Sequence, residues 1–175
     1  MSEPSPTPRE RLDSRPVVTL QPEDVGVLYQ LEDRFGDGAI IRLGPGTFVL
    51  SKTVRLPSNT DLIGSRGGTT HIVLAPHSDC HIFTNARPGP DAATHDMRVE
   101  NLVVDGNGPQ QSRPDGHARL TFACGFYMNG ARDLVFRNLR MTSIRQTALH
   151  FAHAHGVLVT EVEASHLGWS GASSV

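Results

Sequence analysis

The chain has 175 residues, a net charge of −2, 38% hydrophobic and 19% charged residues, which is material enough for the core of one domain. With a pI near 6.5 it presents no basic footprint, so nucleic acid is not an expected partner. No stretch approaches the roughly 18 apolar residues of a membrane span, so a membrane is not expected either.

Residues 1–20 read as a disordered arm, because Met1 to Arg15 is rich in proline and charge. The arm lacks the apolar stretch of a secretory signal, so the expected location is the cytoplasm, or the exterior by export without a cleavable signal. Pro22 to Arg34 carries a helical pattern, with Val25, Leu28 and Leu31 on one face and acidic residues in the first turn. Such a helix would close the end of an apolar core.

Short β-rich runs follow at Ala39–Leu43, Thr47–Leu50, Thr53–Leu56, Asp61–Ile63 and His71–Leu74, divided by Gly-Pro-Gly, Pro-Ser-Asn and Gly-Gly. Beyond them the chain repeats itself. Asp133–Ile144 and Gly156–Leu167 match at an offset of 23 residues, pairing Leu134 with Val157, Phe136 with Val159, Leu139 with Val162 and Ile144 with Leu167. The same offset carries Phe126 onto Leu149 and Met128 onto Phe151. No helix fits between the units, so they must stack as parallel strands about 4.8 Å apart around one core, which is a β-solenoid. Met97–Asp105 joins the scheme by placing Asn101 on Asn138, at an offset of 37 instead of 23. The excess predicts a loop from Gly106 to Arg119, pushed out of one rung.

Three segments carry a family resemblance: Ile41–Leu50, Thr53–Gly64 and the Asn101-Leu-Val-Val-Asp-Gly-Asn107 run. They resemble the pectate-lyase-like superfamily, and the arrangement is most similar to the catalytic modules of mannuronan C5-epimerases, which also place a loop after an Asp-Gly-Asn turn. The resemblance implies an all-β, right-handed parallel β-helix over residues 21–175, with the short helix as its N-terminal cap. It also implies an acidic polysaccharide as substrate, and a lyase or epimerase-like reaction. Asp115-Gly116 matches another pair of that family. The epimerases' Tyr-Gly-Phe-Asp-Pro-His segment is replaced by Thr147–Ala152, and their loop lysine by no closer basic residue than Arg113. The rival class is a non-catalytic carbohydrate-binding, tailspike-like or structural module of the same architecture.

Strand alternation directs Tyr127 outward between Phe126 and Met128, and His150 outward between Leu149 and Phe151, one coil apart. With Arg145 in the preceding turn these are the candidate catalytic residues: a base, an acid and a cation are what proton transfer beside a carboxylate needs. Arg113, Asp115 and His117 in the loop, with Trp169, are the candidate substrate-binding residues; Trp169 would stack a sugar ring or cover the core. Outward His, Tyr and Arg also suit a solvated surface with no site at all. His150, His153 and His155 lack a nearby carboxylate to complete a metal set, so neither metal nor cofactor is expected. Asp105 reads as a turn cap and Asn101, Asn138 and Glu161 as a ladder along one bend. Cys80 and Cys124 read as free, packed thiols, with a disulfide the minor alternative. The last rung, ending at Val175, predicts either continuation in a longer solenoid or self-association through an open parallel edge.

Overall fold

A computed structural model of the chain describes residues 14–91, 93–112, 124–168 and 170–174. The β-runs expected from the sequence become two stacks of parallel strands. The first coil holds β2 (Ile40–Leu43), β3 (Gly46–Leu50) and β4 (Val54–Leu56). The second holds β5 (Asp61–Ile63), β6 (Thr70–Leu74) and β7 (Phe83–Asn85). Three further coils follow: β8 (Thr94–Asp105) with β9 (Phe126–Asn129), β10 (Ala131–Thr142) with β11 (Thr147–Ala152), and β12 (His155–Ser165) with β13 (Ser170–Ser174). One sheet runs β1-β2-β5-β8-β10-β12, where β1 is Val17–Leu20, and the other runs β4-β7-β9-β11-β13. Strands successive in a sheet belong to successive coils and pair in parallel, which makes this all-β fold a parallel β-helix.

The long strands β8, β10 and β12 each replace two strands of the earlier coils. The first half of β8 pairs with β5 and its second half with β6. The bend between the halves falls on Asn101, Asn138 and Glu161, whose φ values of 60°, 49° and 55° are left-handed. Asparagine is at ease there, because its short amide bonds locally, and Asn138 Nδ2 donates to Asn101 Oδ1 at 2.7 Å. Glu161 takes the same backbone shape without joining that bond; its carboxylate faces Arg137 at 3.4 Å. Asp105 caps its turn by accepting the Asn107 N–H at 2.7 Å.

Register converts the repeat into a core. Ile41, Leu62, Val99, Phe136 and Val159 form one inward column, and Val54, Phe83, Phe126 and Leu149 form another on the opposite sheet. Phe83 and Phe126 stack face to face with centroids 4.6 Å apart, and Phe136 meets the edge of Phe126 at 5.2 Å. Phe136 is 1% exposed, whereas Val159, in the same column, is 42% exposed on the last coil. Leu139 and Val162 are in register as expected from the 23-residue offset.

Three details depart from the sequence expectations. Within the span expected to be an arm, Val17–Leu20, a β-branched run, lies parallel to β2, and Arg15 forms a paired ion contact with Asp61 at 3.1 Å. Residues 1–13 lie outside the described residues. The single helix is broken into a 3-10 turn at Pro22–Asp24, α1 (Val25–Leu28) and α2 (Leu31–Phe35), with Leu28 and Leu31 buried in the core and Val25 partly so. Tyr29 occupies the break, and its hydroxyl accepts the Ser51 N–H at 2.9 Å. The start of the expected loop does not project. Gly106 and Gly108 donate to Thr142 and Ser143, and Gln111, 7% exposed, accepts the N–H groups of Ser78 and Asp79 while donating to Ala75 O. That docking satisfies backbone groups which the turn at 75–79 would otherwise leave unpaired. Among the described residues no helix is long and apolar enough to cross a membrane.

The aromatic column should carry much of the stability. Phe126→Ala is expected to cost about 3–5 kcal/mol in denaturant unfolding. Val159→Ala, on the half-open last coil, should cost well under the about 1 kcal/mol typical of point substitutions.

Candidate functional site

The outer face of the β4-β7-β9-β11-β13 sheet carries a column set by register alone: Arg55, Thr84, Tyr127, His150 and Ser173. Each residue alternates with an inward apolar neighbour, so the pleat fixes its direction. The Tyr127 and His150 rings lie parallel, 7° apart in plane and 5.2 Å between centroids. His81, in the turn before β7, stacks on the other face of Tyr127 at 4.6 Å and 10°. The three rings form a continuous pile, His81 on Tyr127 on His150.

Hydrogen bonds orient the pile at both ends. The backbone N–H of Cys124 donates to His81 Nδ1 at 3.2 Å, which puts the proton of the neutral ring on Nε2. His150 Nδ1 and Ser173 Oγ are 2.7 Å apart. Between them, Asn129 Nδ2 donates to the Tyr127 hydroxyl at 3.3 Å, and the Asn129 N–H donates to Asn85 Oδ1 at 3.0 Å. Burial lowers the His150 pKa from its ordinary value of 6.5, since a partly dry site penalises the imidazolium. The ring is therefore a neutral acceptor at neutral pH. Among the described residues, Thr84 Oγ1 and Asn129 Oδ1 are buried without a hydrogen-bond partner, and both adjoin Tyr127 in sequence or register.

Of the residues singled out from the sequence, Tyr127 and His150 come together. Arg145 does not join them: its guanidinium pairs with Asp79 at 3.1 Å and donates to the Ser112 carbonyl, with the side chain 17% exposed. It fastens the loop that starts at Gly106 to the coil below. Arg113, Asp115, His117 and Trp169 lie outside the described residues. Sequence reasoning missed His81, Asn129, Arg55 and Ser173. Ser173 was legible, since it stands 23 residues after His150. His81 was not, because β7 and β9 pair at an offset of 43 residues instead of 23, and only tertiary register puts His81 against Tyr127.

Among the described residues no cluster of His, Cys, Asp and Glu is arranged to hold a metal. Cys80 and Cys124 are free thiols. Burial raises both, Cys124 to about 11.

No protein-family model and no curated protein sequence matches this chain. Solved structures do. The A-module of the Azotobacter vinelandii mannuronan C-5 epimerase AlgE6 superposes with a TM-score of 0.60 at 12% identity, over 85% of this chain and 54% of that one. The AlgE4 A-module gives 0.57 at 14% identity, over 88% of this chain and 53% of that one. A candidate glycosyl hydrolase from Parabacteroides merdae gives 0.54 at 11% identity, over 89% of this chain and 95% of that one. The chain thus spans about half the length of the two epimerase modules, and what it shares with all three is the fold.

Because the thiolate is the reactive form, both cysteines should resist alkylation in the native protein at pH 7.5 and react promptly once it is unfolded. Mass spectrometry of iodoacetamide-treated samples reads this directly. Rapid native labelling of Cys124 would contradict its burial.

Proposed function

We propose that this protein is a polysaccharide-active, right-handed β-helix, closed at its N-terminal end by the Pro22–Phe35 helical turns, that transfers a proton at C5 of a uronate unit. The observation that carries the reading is the Tyr127–His150 stack, with a burial-neutralised imidazole beside a phenol on an outward strand face. The likeness to polysaccharide-acting β-helices supports the substrate class.

In this reading His150 donates Nδ1–H to Ser173, which leaves Nε2 bare as the base. Nε2 removes the C5 proton while a cation stabilises the charge that develops on the adjacent carboxylate. Tyr127, on the same side of the sugar as the base, donates its proton to the leaving O4 as the C4–O bond breaks and a C4–C5 double bond forms; the epimer forms instead where a group of the loop returns a proton to the opposite face of C5. Arg113, in the loop, is proposed as the source of the cation. Arg113, Asp115 and His117 are proposed as substrate contacts from the loop, and Trp169 as a stacking platform. Described residues on either side of this segment are held in place, Ser112 by Arg145 and Cys124 by His81 of the ring pile, which supports this role. The alternative is a carbohydrate-binding module that uses the ring pile without turnover. It is favoured by the commitment of Arg145 to Asp79.

The test is a panel of mannuronan, guluronan, pectate and glycosaminoglycans in D2O, followed by NMR for loss of H5 and by absorbance for unsaturated uronate. Turnover is expected on at least one polymer, with His150→Ala and Tyr127→Phe each lowering it about 100-fold or more at unchanged circular dichroism. Oligosaccharide binding with no turnover on any polymer would establish the module instead. The acidic limb of the kcat/KM profile should lie below pH 6.5, because the base stays deprotonated until the pH falls through its lowered pKa. A limb above that value would remove His150 as the base.

A further inference from the structure

At the far end of β11, just past the stack, the surface opens into a groove of about 440 Å³ lined by Pro90, Gly130, Ala131, Arg132, His153, Ala154 and His155. Its polar side chains are all basic. Register explains how they converge: His95, Arg132 and His155 occupy one column on successive coils, outward by strand alternation and about 4.8 Å apart.

In the lower two coils each base is answered by an acid at the next position. His95 Nδ1 lies 2.8 Å from Asp96, and Arg132 lies 3.6 Å from Asp133. Both acids stand in left-handed conformation, with φ of 54° and 58°. In the last coil the corresponding corner is Gly156, φ 64°, so His155 has no such acid beside it. Asp133 is the carboxylate nearest that corner; a Cβ on Gly156 would meet its Oδ1 at 2.8 Å. The other corner is exchanged in the opposite sense. Gly130 has φ of 68° in one coil, and the next coil sets His153 there with φ of 49°. Glycine takes that shape more freely than a residue with a side chain. The last coil thus loses an acid where the fold tolerates one and places a histidine where the coil below has glycine.

We propose that Arg132, His153 and His155 form a second, anion-binding site, which holds a carboxylate or sulfate ester of a polysaccharide chain whose neighbouring unit rests on Tyr127 and His150. The proposal extends the functional reading above. His153 follows His150 by three residues along the same strand and turn, a reach of about 10 Å at about 3.3 Å per residue. A chain laid across the sheet along β11 therefore passes from the ring pile into the groove. Arg132 supplies a planar fork suited to a carboxylate or sulfate, and the imidazoles add donors on the facing wall.

The experiment measures equilibrium binding by calorimetry on the full chain, so it does not depend on turnover. Three sets of oligosaccharides are compared: free-acid oligouronates, their methyl esters, and sulfated neutral oligosaccharides. The variant is Arg132→Gln, His153→Asn and His155→Gln together, asparagine being chosen because it accepts the left-handed backbone. The expected result is a tenfold or greater loss of affinity for the free acids, for the sulfated set, or for both, with the methyl esters unaffected. Which anionic set responds identifies the charged group. Unchanged affinity for every anionic set overturns the site, as does an equal loss for the methyl esters. Arg132→Gln alone should lose part of the affinity, and unaltered melting of this single variant guards against a folding artefact. Tyr127→Phe serves as the separate control. If it leaves turnover intact, or if no polymer is turned over, while the triple variant still loses anion binding, the catalytic reading fails and the anion site stands.

Discussion

Everything in this molecule depends on parallel strands stacking in register from coil to coil. Backbone hydrogen bonds between coils hold each residue directly over its counterpart, so a side-chain direction chosen once is repeated along the whole axis. Inward positions become columns of Phe, Leu, Ile and Val, and the interdigitated rings of Phe83, Phe126 and Phe136 lie within one such core. Outward positions become columns too, and there the same rule assembles chemistry instead of packing. Rings that would be scattered on another fold are brought to stacking distance.

A second constraint is the corner. To turn the chain without helices, each coil uses left-handed residues at set places, and these repeat at the coil spacing: Asn138 with Glu161, Asp133 with Gly156, Gly130 with His153, Ser143 with His166. Half of them are glycine, asparagine or aspartate, which accept this shape cheaply. Glu161, His153 and His166 take the same shape on the last coils, with φ of 55°, 49° and 52°. His153 lines the basic groove. The exposed pairs Arg137–Glu161 and Arg140–Glu163, each at 3.4 Å, bridge neighbouring rungs and add little to stability in water.

The ring pile shows how a stacked architecture can order three rings without enclosing them. His81 is held by a backbone N–H, Tyr127 is covered on both faces, and His150 is dried enough to stay neutral while remaining reachable. Arg145 stands apart from the pile and ties Ser112 to Asp79.

The repeating part of the fold was legible in the residues, because the 23-residue offset aligns apolar with apolar and polar with polar over two full coils. Strand alternation then fixed Tyr127 and His150 as outward neighbours, since a period of two leaves only one choice of face. What the residues could not reveal was set by contacts without a period. Val17–Leu20 joins the sheet along the edge of β2, and the Pro22–Phe35 segment breaks at Tyr29, whose hydroxyl accepts the Ser51 N–H. Gln111 folds the start of the loop down onto the turn at 75–79, against the outward course that its polarity implied. His81 and Arg145 found their partners across irregular connections, where no offset relates one residue to the next. Sequence by itself determined the directions of side chains within the repeat; tertiary structure decided which groups meet across the turns, because register is local arithmetic whereas loop docking depends on what surface the finished coils present.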